Sequence, residues 1–156
     1  MINYNHMKDG FKLIGIKLEN KTTNENKQSS VDCGSLWQKF ETEKITGLIP
    51  NKLGDEIYAV YYEYEKDETK PFSYFIGCKV DKKTKTPTGL DELIVPSQNY
   101  VKVSAKGEMT GCITEAWEKI WNSKINRKFG VDFEVYDERS QDWNQAEVDI
   151  FISINE

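Results

Sequence analysis

The sequence predicts a single α+β domain, residues 1–156, built from two successive units that each contain a strand, a helix and two more strands. Segments rich in β-branched and aromatic residues alternate with two amphipathic helical segments, in the same order twice. The helical segments contain similar tetrapeptides, WQKF at 37–40 and WEKI at 117–120. We therefore expect repeats at about 11–80 and 100–154 that are related by a pseudo-twofold axis, with antiparallel sheets and a ligand cleft between the halves.

The first unit begins with an alternation of apolar and polar residues, which is typical of a half-buried strand. A polar stretch without periodicity follows, and then an apolar stripe at helical spacing, for which Asp32 is the expected N-cap. We predict, in order, a strand at 11–19, a loop at 20–30, a helix at 31–45, and strands at 57–65 and 72–80.

Two local features of this unit and of the linker after it have structural consequences. Gly77 lies inside a predicted strand, which indicates either a β-bulge or the close approach of another group. The linker at 81–99 is rich in Lys, Thr and Pro, and its segment 89–93 favours one short turn of helix.

The second unit repeats the order, with a strand at 100–106, a helix at 111–123 capped by Thr110, and strands at 132–137 and 147–154. Alternation in the first strand places Val101, Val103 and Ala105 beneath the helix. In the two later strands, the same alternation predicts one set of side chains that faces the helix and one set that points away from it. The helix-facing set contains Phe133 and Val135, and the opposite set contains Glu134, Tyr136 and Phe151.

Composition excludes several classes of function. The formal net charge is −5, and 19 of the 21 basic residues are lysines that alternate with acids. This pattern indicates a solvated surface and argues against direct binding of nucleic acid. No stretch approaches the roughly 18 consecutive apolar residues of a membrane helix, and the N-terminus lacks the apolar run of a signal peptide, so we expect no membrane association and a cytoplasmic protein.

The small numbers of histidines and cysteines exclude further classes of functional site. The single histidine, His6, excludes a histidine-dependent triad and a site with several histidine ligands, and it lies in an N-terminal segment that we expect to fray. Cys33, Cys78 and Cys112 lack metal-type spacing, so we interpret them as reduced structural thiols. We predict no metal and no cofactor.

The predicted sheet faces indicate a binding cleft. One helix covers only one face of a sheet, so the other face must meet water, a partner or a ligand. Aromatic residues occur on both faces of the strands at 57–65 and 72–80, although tyrosine is also favoured in strands for structural reasons alone. A cleft with aromatic walls and one or two acids suits flat, amphipathic ligands with a cationic group.

Four segments carry a family resemblance: IYAVYYEYE at 57–65, FSYFIGCKV at 72–80, FEVYDER at 133–139 and EVDIFISI at 147–154. Together they resemble the GyrI-like effector-binding domains, which also occur behind DNA-binding domains in AraC- and MerR-type regulators. The resemblance covers about residues 11–154 and implies a duplicated fold with a ligand cleft between its halves. It also implies that Glu134 lies in that cleft and acts against cationic, aromatic compounds. The ligand-binding set that we expect comprises Glu134, Tyr136, Phe151, Tyr61, Tyr74, Trp37 and Trp121.

Three functions remain open at this stage. Because the chain has no room for a helix-turn-helix domain, the first is a stand-alone sensor of an amphipathic small molecule. The second is a hydrolase of strained-ring compounds, as some stand-alone members of the family are, in which Glu134 and Tyr136 would be catalytic. The third is a protein-inhibitor-type interaction module, since other members of the family bind a protein target. Exposed strand edges would also permit a homodimer, and a sensor could act through a regulatory protein partner.

Overall fold

One antiparallel sheet of eight strands forms the framework of the protein. The computed structural model describes residues 2–155, with side chains from Asp9 onward. Across the sheet the strand order is β1-β6-β8-β7-β3-β4-β2-β5. The strands are β1 Ile2–Lys8, β2 Phe11–Lys17, β3 Ile57–Tyr62, β4 Ser73–Val80, β5 Asp91–Val95, β6 Gln98–Gly107, β7 Asp132–Tyr136 and β8 Ala146–Ser153, and the helices are α1 Gln28–Thr42 and α2 Met109–Trp121.

The strand order is symmetric about the pairing of β3 with β7. One half contains β2, α1, β3 and β4, the other contains β6, α2, β7 and β8, and each half carries one further strand at its outer edge. Ala59 of β3 lies directly opposite Glu134 of β7, and Tyr61 and Tyr136 each follow two residues later on their own strands. The predicted α+β fold with two related halves is thereby confirmed.

Both outer strands differ from the sequence prediction. The N-terminal segment that contains His6 forms β1 and pairs with β6 instead of fraying. Segment 89–93 contributes to β5, which pairs with β2, instead of forming a helical turn. The physical reason is the same at both edges. Unpaired N–H and C=O groups of an edge strand recruit any extended backbone, whatever the polarity of its side chains.

The helix starts were also predicted too late. α1 begins at Gln28 after a short 3₁₀ turn, Glu25–Lys27, and its N-cap is Lys27 in a left-handed conformation (φ 58°). Asp32 lies inside the helix, where it accepts a hydrogen bond from the Thr22 hydroxyl at 2.6 Å. In α2 the cap is Glu108 instead of Thr110. No helix within residues 2–155 combines the length and apolar character needed to cross a bilayer.

Both helices pack on the same face of the sheet, over two adjacent apolar clusters. Beneath α2 lie Val101, Val103 and Ala105, as predicted. The opposite face has a core of its own, in which the rings of Phe11 on β2 and Phe133 on β7 lie 5.6 Å apart. Two strands separate β2 from β7, about 14 Å of flat sheet at the usual strand spacing, so the sheet must curl strongly about this second core.

The predicted faces of β7 were wrong for this reason. Phe133 and Val135 belong to the core on the concave face, away from the helices, together with Phe151 of β8. Glu134 and Tyr136 therefore point toward the helices. Alternation correctly separated the two sets within β7, but the apolar set was assigned to the helices because only one core was expected.

Gly77 marks a close approach and not a bulge. It pairs in register with Gly15 of β2. A Cβ atom at Gly77 would meet the Ile14 carbonyl oxygen at 2.4 Å, and one at Gly15 would meet the Ile76 carbonyl oxygen at 1.9 Å. The two backbones thus approach more closely than any larger residue permits.

We expect Gly77→Ala to destabilise the protein by about 1–3 kcal/mol, because backbone atoms must move to admit the methyl group. Urea denaturation followed by circular dichroism measures the change. Gly34→Ala in α1 is the matched control, since nothing lies within 4 Å of its Cβ position, and helix propensity predicts a gain of up to about 1 kcal/mol. Equal stability of the two variants would contradict this account of the glycine pair.

Candidate ligand-binding site

A buried carboxylate, Glu134, lies on the helix face at the centre of the sheet. Only 1% of its surface is exposed. Its Oε2 accepts hydrogen bonds from the Tyr61 hydroxyl at 2.8 Å and from the Trp117 indole N–H at 2.7 Å, and its Oε1 accepts one from the Tyr136 hydroxyl at 2.7 Å. Opposite it on β3, Ala59 is small enough to leave room for the carboxylate. Elements of both halves therefore build the surroundings of this one side chain.

The electrostatic state of Glu134 is set by burial without charge compensation. Desolvation raises its pKa above the ordinary value, and the three hydrogen bonds oppose that rise only in part. Among the described side chains, no lysine or arginine forms an ion pair with it. Burial and the negative charge of Glu134 also raise the pKa of Tyr61 and of Tyr136 well above that of free tyrosine, so both phenols stay protonated as donors.

Aromatic rings surround the carboxylate in a symmetric arrangement. Trp37 of α1 contacts Tyr136 of the other half, and Trp117 of α2 contacts Tyr61 of the other half, each with ring centroids 4.9 Å apart in edge-to-face geometry. Tyr74 extends this cluster, since its hydroxyl accepts a hydrogen bond from the Trp37 indole at 2.8 Å. The two halves are thus joined across their helices by reciprocal tryptophan–tyrosine contacts.

A cavity opens on each side of this aromatic cluster, between the helices. The first, which we name the Arg127 chamber, has a volume of about 150 Å³ and lies between the N-terminal half of α1 and residues 113–121 of α2. The second, the Tyr136 chamber, has a volume of about 520 Å³. The Arg127 chamber is lined by Cys33, Tyr61, Tyr64, Trp117, Trp121 and Arg127, among others. The Tyr136 chamber is lined by Trp37, Glu41, Ile57, Met109, Tyr136 and Trp143, among others.

A second buried carboxylate, Asp132, lies near the Arg127 chamber but is fully neutralised. It accepts hydrogen bonds from the Tyr64 hydroxyl at 2.7 Å and from Arg127 at 2.9 Å. The backbone N–H and the hydroxyl of Ser153 also donate to it, at 2.7 and 2.8 Å. It therefore differs from Glu134, whose partners are all neutral.

The structure brings together most of the residues that the sequence predicted for the site. Glu134, Tyr136, Tyr61, Tyr74 and Trp37 form one contact network. Trp121, which is 37% exposed, lies at the edge of the Arg127 chamber. Phe151 lies on the concave face and does not join them, so the expectation that it shares a face with Tyr136 was wrong.

Two site residues were missed by the sequence analysis. Trp117 was not in the predicted ligand-binding set, although a buried indole N–H requires an acceptor, and this one donates to Glu134. Arg127 carried a compositional signal, because the chain uses arginine at only two of its 21 basic positions. Arginine is preferred over lysine where a cation is buried and must satisfy several acceptors.

Metal chemistry finds no support in the part of the chain that the structure describes. No three His, Cys, Asp or Glu side chains there lie close enough together to hold a metal ion. Cys33, Cys78 and Cys112 are all free, and burial raises the pKa of the Cys33 thiol strongly, which makes it a poor nucleophile.

The raised pKa of Glu134 predicts a specific pH dependence of stability. A carboxyl group whose pKa is higher in the folded state stabilises the fold at low pH and loses that contribution as pH rises through the folded value. The free energy of unfolding of the wild type, relative to Glu134→Gln, should therefore fall as the pH rises above the ordinary glutamate pKa of about 4 and through the higher folded value. Urea melts of both variants measure this difference. Glu118→Gln, an exposed site on α2, should show no such trend, and a difference that instead rises with pH would contradict the assignment.

Comparison with known proteins identifies the family to which the fold belongs. A family model described as Cass2, an integron-associated effector binding protein, matches residues 6–154. The integron cassette protein VCH_CASS2 of Vibrio cholerae has a similar structure, with a TM-score of 0.70 and 26% identity over 99% of each chain. SAV2435 bound to tetraphenylphosphonium aligns with a TM-score of 0.79 at 18% identity, over 98% of this chain and 94% of that one.

A curated relative extends the comparison to regulators. The transcriptional regulator BrlR of Pseudomonas aeruginosa is 30% identical over 130 residues, which are 78% of this chain and 46% of BrlR, so the chain spans about half the length of that relative. The family match confirms the resemblance to GyrI-like effector-binding domains that the strand sequences indicated. This chain belongs to the Cass2 family of integron-associated effector-binding proteins.

Proposed function

We propose that the chain is a sensor that binds an amphipathic cation between α1 and α2, with Glu134 as the polar anchor. The observation that carries this proposal is a carboxylate that is almost completely buried and lies under aromatic rings. Among the side chains that the structure describes, it has three neutral donors and no cationic partner. Membership of an effector-binding family supports the same role.

Physical chemistry favours a cation over other ligands. A buried carboxylate without a counter-charge is costly, and a bound cation relieves that cost. Neutral donors stabilise the ionised form, but they leave its net charge in place. The rings of Tyr61, Trp117 and Tyr136 add electron-rich faces, which attract a cation at about 0.5–2 kcal/mol each.

Ligand entry requires a local rearrangement. Tyr61, Trp117 and Tyr136 all bond to Glu134 and separate it from the two chambers. A cation that contacts the carboxylate must displace at least one of these donors. The Tyr136 chamber, at about 520 Å³, already lies within the usual size range of small-molecule sites. We infer that the helices or these rings move when ligand binds.

The similar proteins support this direction. SAV2435 is known in complex with tetraphenylphosphonium, an aromatic cation, and BrlR is a transcriptional regulator. We infer that ligand binding by this chain serves the control of transcription. The chain would act in the cytoplasm, through a regulatory protein partner. We do not propose that the chain binds nucleic acid directly, because it carries a net charge of −5.

Hydrolysis by Glu134 and Tyr136 is a weaker candidate. A general base needs a lone pair directed at water, whereas three of the roughly four lone-pair sites of the Glu134 carboxylate already accept hydrogen bonds from side chains that separate it from both chambers. The Tyr136 hydroxyl gives its only proton to Glu134 and has none left for a leaving group. The arrangement therefore favours binding over turnover.

Glu134→Gln should weaken binding of tetraphenylphosphonium by about 1–3 kcal/mol, because the amide removes the charge but keeps the shape. Isothermal titration calorimetry on the wild type and the variant measures the loss. The affinity of the wild type should also rise with pH, since the ionised carboxylate binds the cation and its raised pKa delays ionisation.

Two controls separate the candidate functions. Glu118→Gln removes an acid from the exposed face of α2 and should leave the affinity unchanged. For turnover, a panel of strained-ring and ester-bearing cations is incubated with protein, and the recovered compounds are analysed by mass spectrometry. Equal affinity of wild type and Glu134→Gln would overturn the anchor role, and compounds cleaved by wild type but not by Glu134→Gln would favour the hydrolase.

A further inference from the structure

The guanidinium of Arg127 leaves hydrogen-bond donors unused inside the Arg127 chamber. Only 5% of its side chain is exposed, and one nitrogen, Nη2, donates to Asp132 at 2.9 Å. The buried Nε and Nη1 atoms have no hydrogen-bond partner. Glu68 Oε2 is 3.8 Å from Nη1, which permits charge attraction but exceeds hydrogen-bond length. Unsatisfied buried donors of this kind are rare in native proteins and call for an explanation.

The surroundings leave only the edge of the guanidinium available. The Phe129 ring centroid lies 4.2 Å from Cζ and covers one face, while the rings of Tyr64 and Trp117 lie at 5.8 Å. Phe129 holds this position from a left-handed backbone conformation, φ 57°, which is uncommon for a bulky residue. A partner for Nε or Nη1 must therefore approach in the guanidinium plane, from the chamber that Arg127 lines.

The charges around Arg127 determine which chemical group can accept a hydrogen bond from its Nε or Nη1. The positive charge of Arg127 is already matched by Asp132, and Glu68 adds a further negative charge, with its Oε2 3.8 Å from Nη1. The region is thus acidic overall, and a carboxylate or phosphate on the ligand would be repelled. A neutral oxygen acceptor, such as the carbonyl of an ester or amide, takes the hydrogen bond without that penalty.

We propose that Arg127 donates hydrogen bonds in a second subsite next to the Glu134 anchor, which binds a neutral acceptor oxygen of the ligand. The chain would thereby select amphipathic cations that also carry a neutral carbonyl oxygen. Trp117 links the two subsites, because its indole N–H donates to Glu134 while its ring lies beside Arg127. The cation and the carbonyl of one ligand would be separated by about the width of one indole. This inference rests on the proposed function and names its ligand class.

Three phosphonium probes test the subsite. The ethyl ester of (carboxypropyl)triphenylphosphonium carries the neutral carbonyl, heptyltriphenylphosphonium has the same chain length without it, and the free carboxypropyl acid carries a negative charge. Calorimetry is performed with wild type and with Arg127→Lys, which keeps a cation near Asp132 but lacks the Nε donor and the planar geometry. The ester should lose about tenfold in affinity in the variant, the range for a hydrogen bond to a charged group, while the heptyl compound changes less than about twofold.

The chain supplies a matched control in its second arginine. Arg139 pairs with Asp137, Glu147 and Asp149, all outside the Arg127 chamber, so Arg139→Lys should leave the ester-to-heptyl affinity ratio of the wild type intact. Thermal melts of each variant show that it is folded at the temperature used.

Three other outcomes would each overturn part of the proposal. An unchanged ratio in Arg127→Lys, with both probes still bound, would overturn the subsite and leave the cation sensor standing. Tighter binding of the acid than of the ester would overturn the neutral class of acceptor. If none of the three probes binds the wild type, the proposed function fails, and the subsite fails with it.

Discussion

The burial of Glu134 between the two halves is the constraint on which the rest of the site depends. Its three donors come from both halves, Tyr61 from the first and Trp117 and Tyr136 from the second. The buried carboxylate therefore has all three donors only when β3 pairs with β7 and both halves are in place. Ala59 permits this arrangement because a larger side chain would occupy the same space on the helix face. A residue at the symmetry centre thus links the stability of the fold to the chemistry of the cleft.

The same hydrogen bonds suggest how binding becomes a signal. The described donors to Glu134 are neutral, and the reciprocal tryptophan–tyrosine contacts hold each helix against a strand of the other half. In the proposed function, a cation that reaches Glu134 would compete with these donors, and the displaced rings would release these helix–strand contacts. The ligand shifts the population toward the displaced arrangement only by as much as it prefers that arrangement. Relief of an unpaired buried charge is one source of such a preference.

Sequence reasoning reached the fold through residues whose environment is local. Alternation placed Val101, Val103 and Ala105 correctly, because one helix and one strand decide their faces. It failed for Phe133 and Glu134, because the curl of the sheet creates a second core that no short window of sequence reveals. The strands β1 and β5 were missed since edge pairing uses backbone groups, which every sequence supplies. Arg127 was missed because its surroundings, Asp132 and the chamber that it lines, are products of the tertiary fold.

The two chambers are related by the pseudo-twofold axis but differ in their charged residues, and this difference affects how a ligand is recognised. Both chambers are walled by one tryptophan and one tyrosine of the reciprocal pairs. Arg127 lines only the first, and no lysine or arginine is among the described residues that line the Tyr136 chamber. Glu134 presents one oxygen toward the donors of each chamber. A purely cationic ligand would find similar surroundings on the two sides of the carboxylate. A ligand that also carries an acceptor oxygen would meet a donor on one side alone, so the single arginine would fix both its orientation and its chamber.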